Sequence, residues 1–257
     1  MNSSRRSALG LMAAGVFAAA GVALPLPASA QTTYNIAGMA DFTGPYADVM
    51  KSLVAGRWGV LNWWNEEVGK TIGVRVNMKD YDTRYDTAQT SSLWPGVKSE
   101  LRPIAALGLG GPDAAALQQR LPDDKVPLMM ATASYGYSWR PEPWVFNPRA
   151  TYAHEAGAFY LWYRQQKGIT GPLKVAIISS EAAPAYVDIH KGLQKFAAEN
   201  PDKIELVETV FTEVQPSDLT TQVNRLVRKG AQVINIQTNT AAVVATKRAL
   251  QALGRKD

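Results

Sequence analysis

Short apolar runs alternate along the chain with longer stretches in which apolar residues recur every three or four positions. The runs are typical of buried strands, and the stretches are typical of amphipathic helices. In the first half of the chain, the pattern predicts strands over residues 34–40, 74–78, 104–109 and 126–130. It predicts helices over residues 47–68, 86–93 and 114–121. Trp94-Pro95-Gly96 is expected to end the second of these helices, because proline lacks the N–H that a helix interior needs.

The same alternation continues after Asn147-Pro148-Arg149. It predicts strands over residues 174–179, 204–211 and 232–237, and helices over residues 152–166, 185–199, 219–229 and 241–253. Gly230 and Gly254 stand where the last two helices should end. Apolar strands that alternate with helices indicate parallel sheets covered on both faces. The sequence therefore predicts an α/β fold of two lobes joined near residue 150.

The first 30 residues have the layout of a secretory signal peptide. Arg5 and Arg6 precede an uncharged run over residues 8–24, and Ala28-Ser29-Ala30 provides a small-residue cleavage site. We expect cleavage after Ala30, with export to the periplasm by either the general or the twin-arginine route. The alternative is an uncleaved membrane anchor, for which the run is short and poor in leucine. The predicted division is residues 1–30 as signal peptide, 31–150 as the N-terminal lobe and 151–257 as the second lobe.

Composition and charge exclude several classes of function. The chain has 257 residues, 46% of them apolar and 19% charged, with no cysteine and two histidines. Cysteine nucleophiles, thiolate metal sites and disulfides are thereby excluded. The formal charge is +5 and Arg5 and Arg6 supply two of these charges. The remainder is too small and too scattered to indicate a nucleic-acid partner.

The common catalytic motifs are missing from the sequence. It contains neither a G-x-S-x-G elbow nor a phosphate-binding G-x-x-x-x-G-K-S/T loop, nor the H-E-x-x-H pattern of zinc proteases. Asp80, Asp82, Asp86 and Glu100 fit a polar loop better than a metal cluster. We expect no enzyme activity, no cofactor and no metal. A hydrolase that uses Asp82, Asp86 or His154 is the enzymatic alternative.

Five loops are candidate ligand sites, because ligands of open parallel sheets bind at the carboxyl ends of the strands. Gly110-Gly111-Pro112-Asp113 is the most distinctive of them. Its helix N-terminus suits a ligand carboxylate, although Pro112 and Asp113 are equally common at helix starts for stability alone. Aromatic residues are dense nearby and either line a cleft or form a core patch; they are Tyr135, Tyr137, Trp139 and Trp144. The five loops cover residues 41–46, 109–113, 132–137, 179–186 and 237–240.

Several segments together resemble one family. They follow the order found in type I periplasmic solute-binding proteins of ABC importers, in the leucine/isoleucine/valine-binding group. The segments are Thr43-Gly44-Pro45-Tyr46, Tyr81-Asp82 with Asp86, and Tyr186 at a helix start. Residues 106–121, 127–134 and 232–254 extend the resemblance, which covers residues 34–257. It implies two Rossmann-like lobes that close on a small-molecule ligand and deliver it to an ABC permease in the inner membrane. It also implies a monomer. A sensor domain on the same fold is the alternative.

The resemblance also implies the ligand contacts, which are Pro112, Asp113, Ala133, Ser134, Tyr135, Tyr186 and Asn239. The family has a hydroxyl residue at the positions of Pro112 and Tyr135, so this chain departs from its pattern there. Proline supplies no backbone donor, and Asp113 repels a ligand carboxylate unless it caps the helix. A ligand ammonium can pair with Asp113 instead. An aromatic ligand or a small amide fits the tyrosine- and tryptophan-rich edge as well as an amino acid does. Family members are longer, so we expect a C-terminally truncated chain with the first lobe incomplete.

Overall fold

Two parallel sheets with alternating helices make up the computed structural model, which describes residues 31–132, 141–182 and 184–255. From residue 31 onward the chain forms one compact unit. In the N-terminal half the elements are β1 (Thr32–Ala40), α1 (Ala47–Trp64), β2 (Val74–Asp82), α2 (Thr87–Leu101), β3 (Ala105–Gly108), α3 (Gly111–Leu117), α4 (Leu121–Asp124), β4 (Leu128–Met130) and β5 (Val145–Phe146). In the C-terminal half they are α5 (Tyr152–Gln166), β6 (Leu173–Ser180), α6 (Pro184–Glu199), β7 (Ile204–Thr212), α7 (Thr220–Arg228), β8 (Val233–Ile236) and α8 (Thr240–Ala252). A π-helical turn, Asn65–Gly69, extends α1.

The first sheet has five parallel strands in the order β2-β1-β3-β4-β5. Its central strands carry small and medium apolar residues that are fully buried, such as Ala37, Ala106 and Leu128. Trp94 of α2 and Leu117 of α3 pack into the same core. The predicted parallel α/β arrangement of this half is confirmed.

The second sheet has three parallel strands in the order β7-β6-β8. Its central strand, β6, is buried along nearly its whole length, as its continuous apolar run predicts. Leu193 of α6 packs on one part of this sheet, and Val223 and Leu226 of α7 pack on another. The lobe boundary near residue 150 stays a prediction.

Helix α2 passes through Pro95, so the predicted break at Trp94-Pro95-Gly96 is wrong. Two compensations explain the continuous helix. Trp94 and Val97, on either side of the proline, are both 1% exposed, and their burial holds the helix on the core. Proline also leaves the carbonyl of residue i−4 without its helical donor. That carbonyl belongs to Ser91, and it accepts a hydrogen bond from Arg120 Nη1 at 3.4 Å.

Three smaller differences concern element boundaries. The helix predicted over residues 114–121 begins at Gly111 and is followed by the separate short helix α4. Strand β5 has two residues and is too short for a periodic signal. The glycine stops are confirmed, since Gly230 and Gly254 have φ values of +79° and +71°. In the described part of the chain, no helix combines the length and apolar character that a membrane span requires.

The strand orders define where a ligand site is expected. In the first sheet, β1 is flanked by β2 on one side and β3 on the other, so the chain changes direction of winding between β1 and β3. In the second sheet, the same change occurs between β6 and β8. Ligands of open α/β sheets bind in the crevice beyond the strand ends at such switch points.

Candidate functional site

A cavity of about 340 Å³ lies beyond the carboxyl ends of both sheets. Its described wall residues lie at the last position of a strand or in the loop or helix that follows one, and both switch points contribute. The volume falls in the range of small-ligand pockets. The wall consists of Tyr46, Tyr85, Leu109, Thr132, Tyr152, Tyr186, Ile189, Ile236, Gln237 and Thr238.

Tyr85 owes its position to an unusual backbone conformation in the loop after β2. Arg84 and Tyr85 both have left-handed φ values, +53° and +54°, which non-glycine residues adopt rarely and at an energetic cost. The Asp82 carboxylate holds this loop by accepting hydrogen bonds from Arg84 N at 3.2 Å and Thr43 Oγ1 at 2.6 Å. Gly110 leaves room for the ring, because a Cβ there would lie 3.0 Å from Tyr85 Cζ.

Tyr46 connects the two halves across the cavity. Its loop is held by the fully buried Asp41, whose carboxylate accepts hydrogen bonds from Gly44 N at 2.5 Å and Tyr46 N at 2.8 Å. The Tyr46 hydroxyl is hydrogen-bonded to the Tyr186 hydroxyl and donates to Thr238 O at 3.4 Å. Burial raises the pKa of the Tyr46 phenol well above its ordinary value, so the group stays neutral and remains a hydrogen-bond donor.

The carbonyl of Pro45 makes a second connection between the halves. It accepts hydrogen bonds from Gln215 Nε2 at 3.1 Å and from Asn239 Nδ2 at 3.3 Å. Both donors lie in the C-terminal half. The loop before α1 therefore bonds to helix α6 and to two loops of the C-terminal half.

Asp113 caps the turn between β3 and α3. It is 1% exposed, and one carboxylate oxygen, Oδ2, accepts hydrogen bonds from Leu109 N at 2.8 Å and Gly110 N at 3.1 Å. The other oxygen accepts from Thr90 Oγ1 at 3.0 Å. Burial raises the pKa of the Asp113 carboxyl, and the bonds from Gly110 and Leu109 oppose that rise. Asp113 thus has the hydrogen bonds of a stabilising cap. Its predicted contact with a ligand stays a prediction.

The other predicted contacts are distributed unevenly. Tyr186 forms part of the cavity wall, whereas Pro112 is buried in the first turn of α3. Asn239 is 7% exposed and caps α8 through Oδ1, which accepts from Ala241 N at 3.1 Å. Trp144 packs against the core of the first sheet. The remaining predicted residues lie outside the described part of the chain; they are Ala133, Ser134, Tyr135, Tyr137 and Trp139.

Sequence reasoning missed several wall residues, of which Tyr85 and Tyr152 are the largest. With Tyr46 and Tyr186 they place four tyrosines on one cavity. The centroids of the Tyr46 and Tyr85 rings are 4.6 Å apart, and those of Tyr85 and Tyr186 are 6.4 Å apart. The signal that was available is that each tyrosine lies within one residue of the start of a predicted helix.

The described residues also show the surroundings of the other candidates, which are a metal cluster, His154 and a second cavity. Within the described residues, no group of three or more His, Asp or Glu side chains is placed to hold a metal. His154 Nδ1 is hydrogen-bonded to Thr151 Oγ1 at 2.7 Å, which places it at a helix start. A second cavity of about 440 Å³ is lined only by α5 and α6 side chains, and no strand end contributes to it.

The strand ends of the two parallel sheets share one cavity, as in α/β proteins that bind a ligand beyond their strand ends. Comparison with family models agrees with this class. The model described as periplasmic binding protein matches residues 33–257, and the chain belongs to this family. Comparison with curated proteins finds no match.

Solved structures of the family are similar in fold. A branched-chain amino acid ABC transporter protein from Thermus thermophilus, with bound valine, has a TM-score of 0.75 and 20% identity, covering 88% of this chain and 58% of that one. A solute-binding protein from R. palustris in complex with 4-hydroxybenzoate has a TM-score of 0.68 and 21% identity, covering 86% and 58%. A fatty acid ABC transporter substrate-binding protein from Thermomonospora curvata has a TM-score of 0.71 and 19% identity, covering 88% and 56%. The chain therefore has the type I periplasmic binding fold and spans less than two thirds of the length of these structures.

Proposed function

We propose that this chain is the exported solute-binding component of an ABC importer. It captures a small polar ligand between its two halves and delivers the ligand to a permease in the inner membrane. The ligand is a branched-chain or other amino acid, or a related carboxylate or amide. The protein acts as a monomer in the periplasm after cleavage at Ala30.

The observation that carries this proposal is the cavity over both switch points. Of its described wall residues, four come from the N-terminal half and six from the C-terminal half, and Tyr46 bonds to Tyr186 and Thr238 across it. A ligand in this position contacts both halves at once, so binding stabilises the closed arrangement relative to an open one. Capture needs nothing more than a preformed cleft with a few oriented polar groups.

The ligands of similar structures differ widely, from valine to 4-hydroxybenzoate and fatty acid. They support a common scaffold with variable specificity. The specificity of this chain therefore depends on its own cavity wall.

The test is a binding screen on the purified protein. Thermal unfolding is followed with amino acids, aliphatic and aromatic carboxylates, and amides, and each hit is measured by calorimetry. We expect at least one compound to bind with one-to-one stoichiometry and to be recovered unchanged. Conversion of a bound compound into a product would overturn the proposal in favour of an enzyme. A screen without any hit would contradict it as well.

A further inference from the structure

We propose that the cavity selects an uncharged, planar aromatic solute with hydrogen-bonding groups at its ends, of the aromatic amide class, and rejects carboxylates. The inference rests on the proposed function and specifies its ligand. Three observations carry it: the state of the backbone donors around the cavity, the uncharged wall, and two buried hydroxyl groups without partners.

Several backbone N–H groups near the described part of the wall already have side-chain partners. At the turn before α3, Leu109 N and Gly110 N donate to Asp113, and Pro112 has no N–H. In the loop before α1, Gly44 N and Tyr46 N donate to Asp41. Both carboxylates are buried, so releasing these N–H groups to a ligand would leave a buried carboxylate without those partners, which is costly.

At the start of α8, Ala241 N likewise has a side-chain partner, because it donates to Oδ1 of Asn239. The starts of α3 and α8 are thus bonded to the protein's own side chains, and so is the loop before α1. A helix N-terminus attracts an anion through free N–H groups, and here a ligand anion would have to displace an internal cap.

The described part of the wall offers no counter-charge. Among its described residues, none carries a charge, and four are tyrosines. A carboxylate moved from water into this cavity loses its hydration without gaining an ion pair, which is strongly unfavourable. An uncharged ligand avoids this cost.

The four rings favour an aromatic ligand over an aliphatic one. Aromatic pairs attract one another at centroid distances of about 4.5–7 Å in tilted or offset arrangements. The Tyr46–Tyr85 and Tyr85–Tyr186 pairs already have this geometry, at 4.6 Å and 6.4 Å. A further ring fits in the space, since a cavity of about 150 Å³ is sufficient for benzene and this one measures about 340 Å³.

Two hydroxyl groups on opposite halves specify the polar ends. Thr132 follows β4 and Thr238 follows β8, and both side chains belong to the wall. Their Oγ1 atoms are buried and have no hydrogen-bond partner among the described residues. A buried hydroxyl without a partner is costly, so a ligand that bonds to one or both gains affinity. An amide both donates and accepts hydrogen bonds, and therefore suits a hydroxyl in either orientation.

The experiment uses matched compounds with the protein of full sequence. Calorimetry at pH 7.5 compares 4-hydroxybenzamide with 4-hydroxybenzoate, which share ring, hydroxyl and size and differ in charge. We expect the amide to bind at least about tenfold more tightly. Benzamide is compared with cyclohexanecarboxamide, and we expect the aromatic compound to bind about three- to tenfold more tightly.

Two threonine variants test the position of the ligand. Thr238→Val removes the hydroxyl but keeps the shape, and should weaken 4-hydroxybenzamide binding about two- to tenfold. Thr246→Val is the matched control, because Thr246 Oγ1 is also buried without a partner but lies in α8, outside the cavity wall. The control should leave the affinity unchanged.

The outcomes separate the inference from the proposed function. The inference is overturned if 4-hydroxybenzoate or L-valine binds more tightly than 4-hydroxybenzamide, or if cyclohexanecarboxamide binds more tightly than benzamide. Each of these results leaves solute capture intact. Equal loss in Thr238→Val and Thr246→Val overturns the placement of the ligand at Thr238. If no amide, carboxylate or amino acid binds, both the inference and the proposed function fail.

Discussion

Gly110 is predicted to be required for the position of the Tyr85 ring. Its φ and ψ, −154° and −171°, are extended and open to any residue. An alanine there is therefore unstrained in its backbone, and its effect comes from space alone. Its Cβ would lie 3.0 Å from Tyr85 Cζ and Oη, and nearer still to Cε2.

The expected cost of Gly110→Ala follows from this overlap. Carbon atoms pack at about 3.5–4.0 Å, so the ring must move by at least about 1 Å. Forcing an extra methyl group into a packed site costs about 1–3 kcal/mol, and the restricted unfolded chain returns about 0.4–1 kcal/mol. The net loss of about 1–2 kcal/mol should lower Tm by about 2–8 °C. Ligand affinity should fall as well, because the displaced Tyr85 ring belongs to the cavity wall.

Thermal and urea unfolding measure the change, with Gly56→Ala as the matched control. Gly56 lies inside α1, and an added Cβ meets nothing within 4 Å. The same methyl group should therefore stabilise the protein there, by about 0.5–1 kcal/mol. In a Tyr85→Ala background the cost of Gly110→Ala should disappear. If Gly110→Ala is as destabilising without the Tyr85 ring as with it, the explanation by ring displacement is refuted.

Three further predictions concern stability and export. Partial burial alone would raise the pKa of Asp82, but hydrogen bonds from the Thr43 hydroxyl and two backbone N–H groups lower it below its ordinary value of about 3.9. The carboxylate therefore stabilises the fold above about pH 4. The difference in unfolding free energy between the unchanged protein and Asp82→Asn should shrink as the pH falls below that value. Arg57 and Asp80 form a mostly buried ion pair at 3.5 Å. Arg57→Met and Asp80→Asn should each lower the free energy of unfolding by about 2–3 kcal/mol, because each leaves the other charge unpaired. If the losses of the two single variants add up in the double variant, the two side chains are not coupled as expected. Mass spectrometry of the periplasmic protein should find Gln31 as the first residue, and an intact Met1 in a membrane fraction would indicate an anchor instead.

The elements that the sequence predicts correctly are those whose signal is local. Strand β6 is a continuous apolar run, and helices α7 and α8 are followed by left-handed Gly230 and Gly254. Pro95 is the opposite case. Its effect on α2 depends on Arg120, which is 29 positions away from Ser91 and cannot be paired with it by periodicity.

The site shows the same limit. The strand-end loops were predicted because parallel strands end at one edge, and Tyr186 was reached in this way. Tyr85 was missed because its position depends on two consecutive left-handed residues, and no glycine in the loop marks them. For Asp113 the sequence supports both a cap and a ligand contact, since each needs a carboxylate at a helix start. The choice depends on whether Leu109 N and Gly110 N are free, which is a property of the folded turn.

Under the proposed function, the loop before α1 links ligand binding to the contact between the two halves. Asp41 orders this loop by accepting from Gly44 N and Tyr46 N, and the ordered loop presents the Tyr46 hydroxyl to Tyr186. The Tyr46 ring also belongs to the cavity wall. A ligand that packs on this ring consequently stabilises the same side chain that joins the halves. Under the proposed function, affinity and closure therefore depend on one residue, and a change at Tyr46 alters both together.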